Sequence, residues 1–415
     1  MKKLMLEKSE IQELISNYNC KTQEQKEEIV KILSSIEQEC KDYILAWAIE
    51  HCYMEVAPVL IEAGANVNAI DQEHKDFTLI WATENGYMEV VPVLIEAGAN
   101  VNAVDSYLQT PLIKAVMRND YEAIKLFIEH EANIFVQDII YNTPLIYAVK
   151  KDEYDGRIIK LLVELSSKIN TKNKYKETAL DATNEYGESA LIWAIKSSKL
   201  EAVELLLDHG ANANAKDRYK ETALMIATQK QNMKMAELLL DHGANANAKD
   251  RYEETALMIA TQKQSMKIIE LLLDHGANVD ISDASGYTAL HWAARSGCIE
   301  IVKLFLVNTT DITATDKYGY TALHVAAINN RPEVVNMLIK AGININAKTE
   351  YGYTALHYAA GRDQSEMIKM LVDNGIEVEA KDGHNKTALA IAAEYGKIKA
   401  IKLLVSCGAE IGEIE

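Results

Sequence analysis

Apolar residues along the chain fall into two helical patterns that follow one another. In Asp283-Ala-Ser-Gly-Tyr-Thr-Ala-Leu-His-Trp-Ala-Ala294, a Gly-containing turn leads to a Thr suited to cap a short helix. Leu290, Ala293 and Ala294 give that helix a small, close-packing inner face. A second helix follows, with Ile301, Val302, Leu304, Phe305 and Leu306 at helical spacing. Such second helices usually end at Gly-Ala-Asn, where glycine accepts a left-handed cap, and a linker such as Asn-Ala-Lys-Asp returns the chain to the next turn. Pro111 and Pro144 stand just after Thr caps, at the first helical position, where a missing amide hydrogen costs little.

This hairpin recurs. Ser or Thr stands at 189, 222, 255, 288, 321, 354 and 387, in steps of 33 residues, with a Leu two places after each. Glycine keeps the same phase at 210, 243, 276, 342, 375 and 408. Upstream, Thr110-Pro-Leu112 and Thr143-Pro-Leu145 are 33 apart, and Gly64-Ala-Asn66 and Gly98-Ala-Asn100 are 34 apart. The repeats Asp217 to Lys249 and Asp250 to Ser282 are nearly identical, which recent copying explains without any function. The period breaks once, between Asp138 and Asn184, a step of 46 residues and so 13 more than one repeat. A looped-out duplication scar accounts for the break; a hinge or a partner-specific finger is the sharper alternative. Thr309 replaces one glycine and should weaken that cap by roughly 1 kcal/mol if a left-handed residue is required there.

The carrying residues Thr288-Ala-Leu-His291, Thr321-Ala-Leu-His324 and Thr354-Ala-Leu-His357, with Gly-Ala-Asn-Ala-Asn-Ala at 210–215 and 243–248, resemble the ankyrin repeat family. Eleven units start near 42, 71, 105, 138, 184, 217, 250, 283, 316, 349 and 382. The expected fold is an all-α solenoid of stacked helix-turn-helix units. Residues 1–41 are expected to form a helical cap, with Ile11, Leu14, Ile15 and Tyr18 on one face and Ile29, Val30, Leu33 and Ile36 on another. Repeats then fill 42–172, an irregular insertion 173–183, and further repeats 184–415. The resemblance implies binding of other proteins and a structural hydrogen-bonding role for the Thr-x-Leu-His histidines; it implies no reaction and no particular partner.

Charge narrows the partners. With 43 Lys plus Arg against 61 Asp plus Glu, the formal charge is −18, a poor basis for gripping a nucleic-acid backbone. No run approaches the ~18 to 20 apolar residues that cross a bilayer, and the start falls short of a signal-peptide core. The five cysteines are scattered and never spaced as C-x-x-C, as expected of free thiols in a reducing compartment. A cytoplasmic monomer without cofactor is the expectation. The wealth of Lys, Ile and Asn looks like the product of an AT-rich genome and is similar to that of ankyrin proteins which intracellular bacteria deliver into host cytosol, while viruses and protists make comparable chains.

Candidate chemistry is sparse. No Gly-rich phosphate loop, H-E-x-x-H helix or G-x-S-x-G elbow is present. The rival enzyme reading places a site on 166–185, where Asp181, Glu185 and Glu188 are nearby carboxylates. His209, His242 and His275, and His291, His324 and His357, form two rows, but residues on helices ~8 to 10 Å apart hardly share one metal ion. Trp47, Trp81, Trp193 and Trp292 occupy one slot that elsewhere holds Tyr147, Ile226, Ile259, Val325 and Tyr358, and core packing is the expectation there. Tyr186, Tyr219, Tyr252, Tyr318 and Tyr351 share one phase at the turn tips, with Ser285 in the gap, and Tyr287, Tyr320 and Tyr353 form a second row. In the resembled fold such tips stand beside the binding groove, and tyrosine offers a rigid ring with a hydroxyl. Lys196, Lys230, Lys263, Arg295 and Arg362 make a basic strip beside them, which would suit an acidic or phosphorylated protein segment.

Overall fold

The computed structural model describes residues 31–51, 53–151, 155–169, 178 and 180–411. Two compact units separate between Asn212 and Ala213. Five helix hairpins build the described part of the first: Gln38–Glu50 with Ala57–Glu62, Gln72–Asn85 with Val91–Glu96, Pro111–Arg118 with Tyr121–Glu129, Pro144–Lys150 with Gly156–Ile169, and Ala190–Lys196 with Leu200–Asp208. Six build the second: Ala223–Gln229 with Met233–Asp241, Ala256–Gln262 with Met266–Asp274, Ala289–Ser296 with Ile299–Asn308, Ala322–Ile328 with Pro332–Lys340, Ala355–Gly361 with Ser365–Asp373, and Ala388–Glu394 with Ile398–Ser406. Within each unit first helices pack on first helices in chain order, and second helices pack on second ones, as Ser365–Asp373 does on Ile398–Ser406. The expected all-α repeat solenoid is the observed architecture.

Local chemistry sets the hairpin ends. Thr110 and Thr143 accept at Oγ1 from the amides of Ile113 and Ile146 at 3.3 and 3.2 Å, with Pro111 and Pro144 at the first turn. Gly210, Gly243 and Gly276 take φ of 86°, 78° and 77° after their second helices, the left-handed cap that their spacing predicts. Leu290, Ala293, Ala294, Ile301, Val302 and Phe305 are all buried, so the inner faces read from the periodicity form the core.

Asparagines tie successive hairpins together. Asn247 accepts the Asn278 amide at 2.7 Å and donates from Nδ2 to the Gly276 carbonyl at 2.9 Å; Asn214 does the same with Asn245 and Gly243 at 2.7 and 3.0 Å. One repeat later the clamp changes hands. Asp280 cannot donate, and opposite it the glycine is replaced by Thr309, whose hydroxyl donates to Asp280 Oδ1 while the Thr310 amide reaches Oδ2 at 2.9 Å. Thr309 is extended, at φ −81° and ψ 142°, so the condition for a weakened left-handed cap is not met.

Two expectations fall at the margins of the described chain. Of the proposed cap residues, Ile11, Leu14, Ile15, Tyr18, Ile29 and Val30 lie outside the described residues, whereas Leu33 is buried. The helix Gln38–Glu50 runs through the boundary at residue 41. At the insertion, residues 170–177 and 179 are also outside, but the hairpins on either side of it stack directly. The Glu185 amide donates to the Ile140 carbonyl at 3.2 Å, and Gln137 Nε2 to the Thr183 carbonyl at 3.0 Å. The stack is thus continuous from the Pro144–Lys150 hairpin to the Ala190–Lys196 hairpin.

Candidate protein-binding surface

In the fingers that join hairpins of the second unit, one side chain pins the turn. Asp283 is buried, and its Oδ1 accepts the amides of Ser285 and Tyr287 at 2.8 and 2.9 Å; Asp316 holds Tyr318 and Tyr320 in the same way at 2.8 Å each. Successive fingers share a backbone hydrogen bond at the tip. The Arg251 amide donates to the Tyr219 carbonyl at 3.0 Å, and the Glu350 amide to the Tyr318 carbonyl at 2.9 Å. At Gly319, φ is 78° and an added Cβ would lie 2.9 Å from the Glu350 amide nitrogen, so this close approach requires glycine.

The two tyrosine rows differ. Tyr186, Tyr219, Tyr252, Tyr318 and Tyr351 are exposed, whereas Tyr287, Tyr320 and Tyr353 are half-buried and turn onto the first helices. Tyr287 lies 5.5 Å from the Trp292 ring, and Arg295 sits 5.6 Å above that ring. Tyr353 lies 5.3 Å from Tyr358, over which Arg362 sits at 5.8 Å. Tyr358 donates from its hydroxyl to the Tyr320 hydroxyl at 2.8 Å. Two aromatic rails thus run from finger to helix end, each finished by an exposed arginine. Burial first, and then the nearby Asp316 carboxylate, raises the Tyr287 phenol above its usual range; burial and the bond to Tyr320 raise Tyr358, so both stay protonated.

The tryptophan slot departs from the core expectation. Ile226, Ile259 and Val325 are buried in it, but Trp47, Trp81, Trp193 and Trp292 are only half-buried, because rings longer than the layer is deep emerge on the first-helix face. Lys150 lies 4.8 Å over Trp193, and Trp81 stacks on Tyr87 at 5.2 Å.

The basic strip is divided. Lys230, Lys263, Arg295 and Arg362 are exposed at or just before the C-terminal caps of their helices, where a cation also suits the helix dipole. Lys196 is instead paired with Glu188 at 2.6 Å. That carboxylate also accepts from Asn184 at 3.0 Å. Asp181 accepts from the Thr178 hydroxyl and the Asn212 amide, each at 3.0 Å. Two of the three carboxylates considered for an enzyme site are therefore bound into the scaffold, and Glu185 is exposed on its own finger.

The histidine rows have separate structural duties. Nδ1 of His291, His324 and His357 accepts the amides of Thr288, Thr321 and Thr354 at 3.1, 3.2 and 3.1 Å. Their Nε2 atoms face the Tyr320, Tyr353 and Lys386 carbonyls of the next finger at 3.0, 3.1 and 3.2 Å, which places the proton on Nε2. Burial holds all three below the usual imidazole range, His324 at about 4. His209, His242 and His275 each turn Nδ1 to a carbonyl of their own helix at 2.9 Å.

One surface was not anticipated from the residues. Val104, Tyr107, Leu108, Ile139, Ile140 and Tyr141 are all exposed on two adjoining fingers, joined by the Ile139 amide to the Tyr107 carbonyl at 2.9 Å. Leu108 and Tyr141 adopt φ of 58° and 62° at the phase where Gly187, Gly286, Gly319 and Gly352 stand in other fingers. The available signal was an apolar run at a turn, Ile139-Ile140-Tyr141, which a periodic reading passes over.

The family described as ankyrin repeats (3 copies) matches residues 16–105, 79–173, 174–250, 245–316, 286–349 and 344–414. The chain belongs to the ankyrin repeat family. Among solved structures it is similar to the ankyrin repeat domain of Bcl-3, described as a unique member of the IkappaB protein family. The two share 31% identity over 53% of this chain and 100% of that one, with a TM-score of 0.48. No curated protein matches the chain. Ankyrin repeats generally serve protein–protein interaction, and no helix among the described residues is long and apolar enough to cross a membrane.

Proposed function

We propose that this chain is a non-catalytic scaffold that binds a partner protein on its finger tips and first-helix face, with a preference for an acidic segment. The observation that carries the proposal is the pair of rails Tyr287–Trp292–Arg295 and Tyr353–Tyr358–Arg362. Their rings present rigid apolar surface, and their arginines have no ion pair among the described residues, although the whole chain is strongly acidic. Aromatic and arginine side chains of this kind dominate the energetics of protein interfaces. Against the enzyme alternative stands the use of Asp181 and Glu188 in scaffold hydrogen bonds.

Affinity capture supplies the partner, and substitution tests the surface. Replacing Tyr252, Tyr318 and Tyr351 together by Ala should leave the circular dichroism spectrum unchanged and weaken binding of the captured partner by about 3 kcal/mol, as hot-spot truncations do. Unaltered affinity would reject the finger surface, and substrate turnover by the purified chain would reject the scaffold reading.

A further inference from the structure

The finger row lacks one tooth. Arg251 lies 5.1 Å from the Tyr219 ring and 4.6 Å from the Tyr252 ring, so each of two successive fingers contributes to a stacked arginine–tyrosine ladder. In the next finger the same two phases hold Ala284 and Ser285, both exposed, and no side chain there can cover Tyr252. The backbone is nevertheless in register: the Ala284 amide donates to the Tyr252 carbonyl at 2.8 Å, and the Lys317 amide to the Ser285 carbonyl at 3.0 Å. The gap is therefore missing side chain, not missing finger. Its two flanking rings, Tyr252 and Tyr318, are 56% and 54% exposed, against 43%, 40% and 51% for Tyr186, Tyr219 and Tyr351.

The same repeat carries the first aromatic rail, Tyr287, Trp292 and Arg295, which begins two residues after Ser285. Its charge is one-sided. From 284 to 299 there is no carboxylate at all, and Asp283 is buried and occupied by turn amides. Glu253 and Glu254, on the preceding finger, are engaged by Lys249 at 3.1 Å and Gln262 at 2.7 Å. Arg251, Arg295 and Lys317 have no ion pair among the described residues.

We infer that the gap at Ser285 is the anchoring slot for one aromatic side chain of an acidic partner segment. This rests on the protein-binding reading above and gives it a register. The partner's ring enters the space beside Ser285 that the missing tyrosine leaves, and lies on the face of Tyr252 equivalent to the one that Arg251 covers on Tyr219. Carboxylates on either side of that ring pair with Arg251, Arg295 and Lys317. A basic segment would meet three cations and no free carboxylate at this position.

Three labelled peptides test the slot on the full chain: six Glu around a central Phe, six Glu around a central Ala, and six Lys around a central Phe. Fluorescence anisotropy should show the Glu–Phe peptide binding about tenfold or more tighter than either of the others. Ser285→Tyr, which installs the residue of the neighbouring fingers, should abolish the advantage of Phe over Ala without changing the circular dichroism melt, whereas Ser285→Ala should keep it. Arg295→Gln should weaken both acidic peptides and leave the Phe-to-Ala ratio in place. Retention of the Phe advantage by Ser285→Tyr, equal or tighter binding of the Lys–Phe peptide, or no binding of any peptide overturns the slot. None of these outcomes touches the scaffold reading, which the tyrosine triple substitution tests with the captured partner.

Discussion

Asp280 and Thr309 belong to different repeats, yet each answers the other. Where the amide side chain of Asn247 can both accept and donate, a carboxylate can only accept, so the opposing position must supply a donor, and the Thr309 hydroxyl does. Burial alone would raise the Asp280 carboxyl, but the bonds from Thr309 and Thr310 outweigh it and hold the group below its ordinary range. Asp280→Asn, which replaces one accepting oxygen by a donor, and Thr309→Gly, which removes one of the three bonds to the carboxylate, should each cost about 1 kcal/mol in urea unfolding. The double variant recreates the Asn247–Gly276 arrangement and should fall short of the sum by about 1 kcal/mol; strict additivity would show that the two residues are not coupled.

At the scale of the hairpin, the finger is a rigid turn whose backbone touches its neighbour. Gly319 combines a left-handed φ of 78° with a space that a methyl group would fill 2.9 Å from the next finger's amide. Gly319→Ala is therefore expected to lower stability by about 1 to 3 kcal/mol, measured as the shift in denaturant midpoint at unchanged slope. Lys220 and Glu253 show φ of 61° at the same phase, so the left-handed conformation by itself is tolerated in this fold. A loss below ~0.5 kcal/mol at Gly319 would mean that the neighbouring finger yields freely.

Across the whole molecule, stability in a repeat stack is close to a sum of units and their interfaces, so a local titration has a local address. His291, His324 and His357 are buried neutral and bridge three successive finger interfaces of the second unit. Their folded pKa values lie below the unfolded imidazole value, so the unfolded chain binds more protons as the solution is acidified. The stability they permit is fully present above about pH 6.5 and is lost as pH falls toward about 4, where His324 itself takes up a proton. For His324 the disfavoured charge amounts to on the order of 3 kcal/mol. Hydrogen exchange between pH 7 and pH 5 should accordingly show the amides of 283–394 losing protection, after correction for intrinsic rates, before those of 105–151. Uniform loss across both units would locate acid sensitivity elsewhere.

Caps, inner faces and the 33-residue step could be read from residues because each depends on neighbours a few places away: a Thr hydroxyl and the amide three residues on, a glycine at its own φ, a Leu two places past its cap. The phase of the tyrosines was legible for the same reason. Whether a ring at that phase stands in solvent, as Tyr252 does, or lies on Trp292, as Tyr287 does, depends on packing across a hairpin and was settled only by the tertiary structure. Lys196 and Lys230 stand one place apart in repeat phase, and it is the position of Lys196, and of Gln229 one repeat on, that folding brings within 2.6 Å of Glu188 and Glu221 respectively. The pairing of Asp280 with Thr309 and the apolar tips at 107 and 140 are of the same kind: both join positions about one repeat apart. Periodicity determines which hairpins form and in what order they stack, since that is local propensity repeated; which side chains remain open to a partner is decided by the next hairpin's surface.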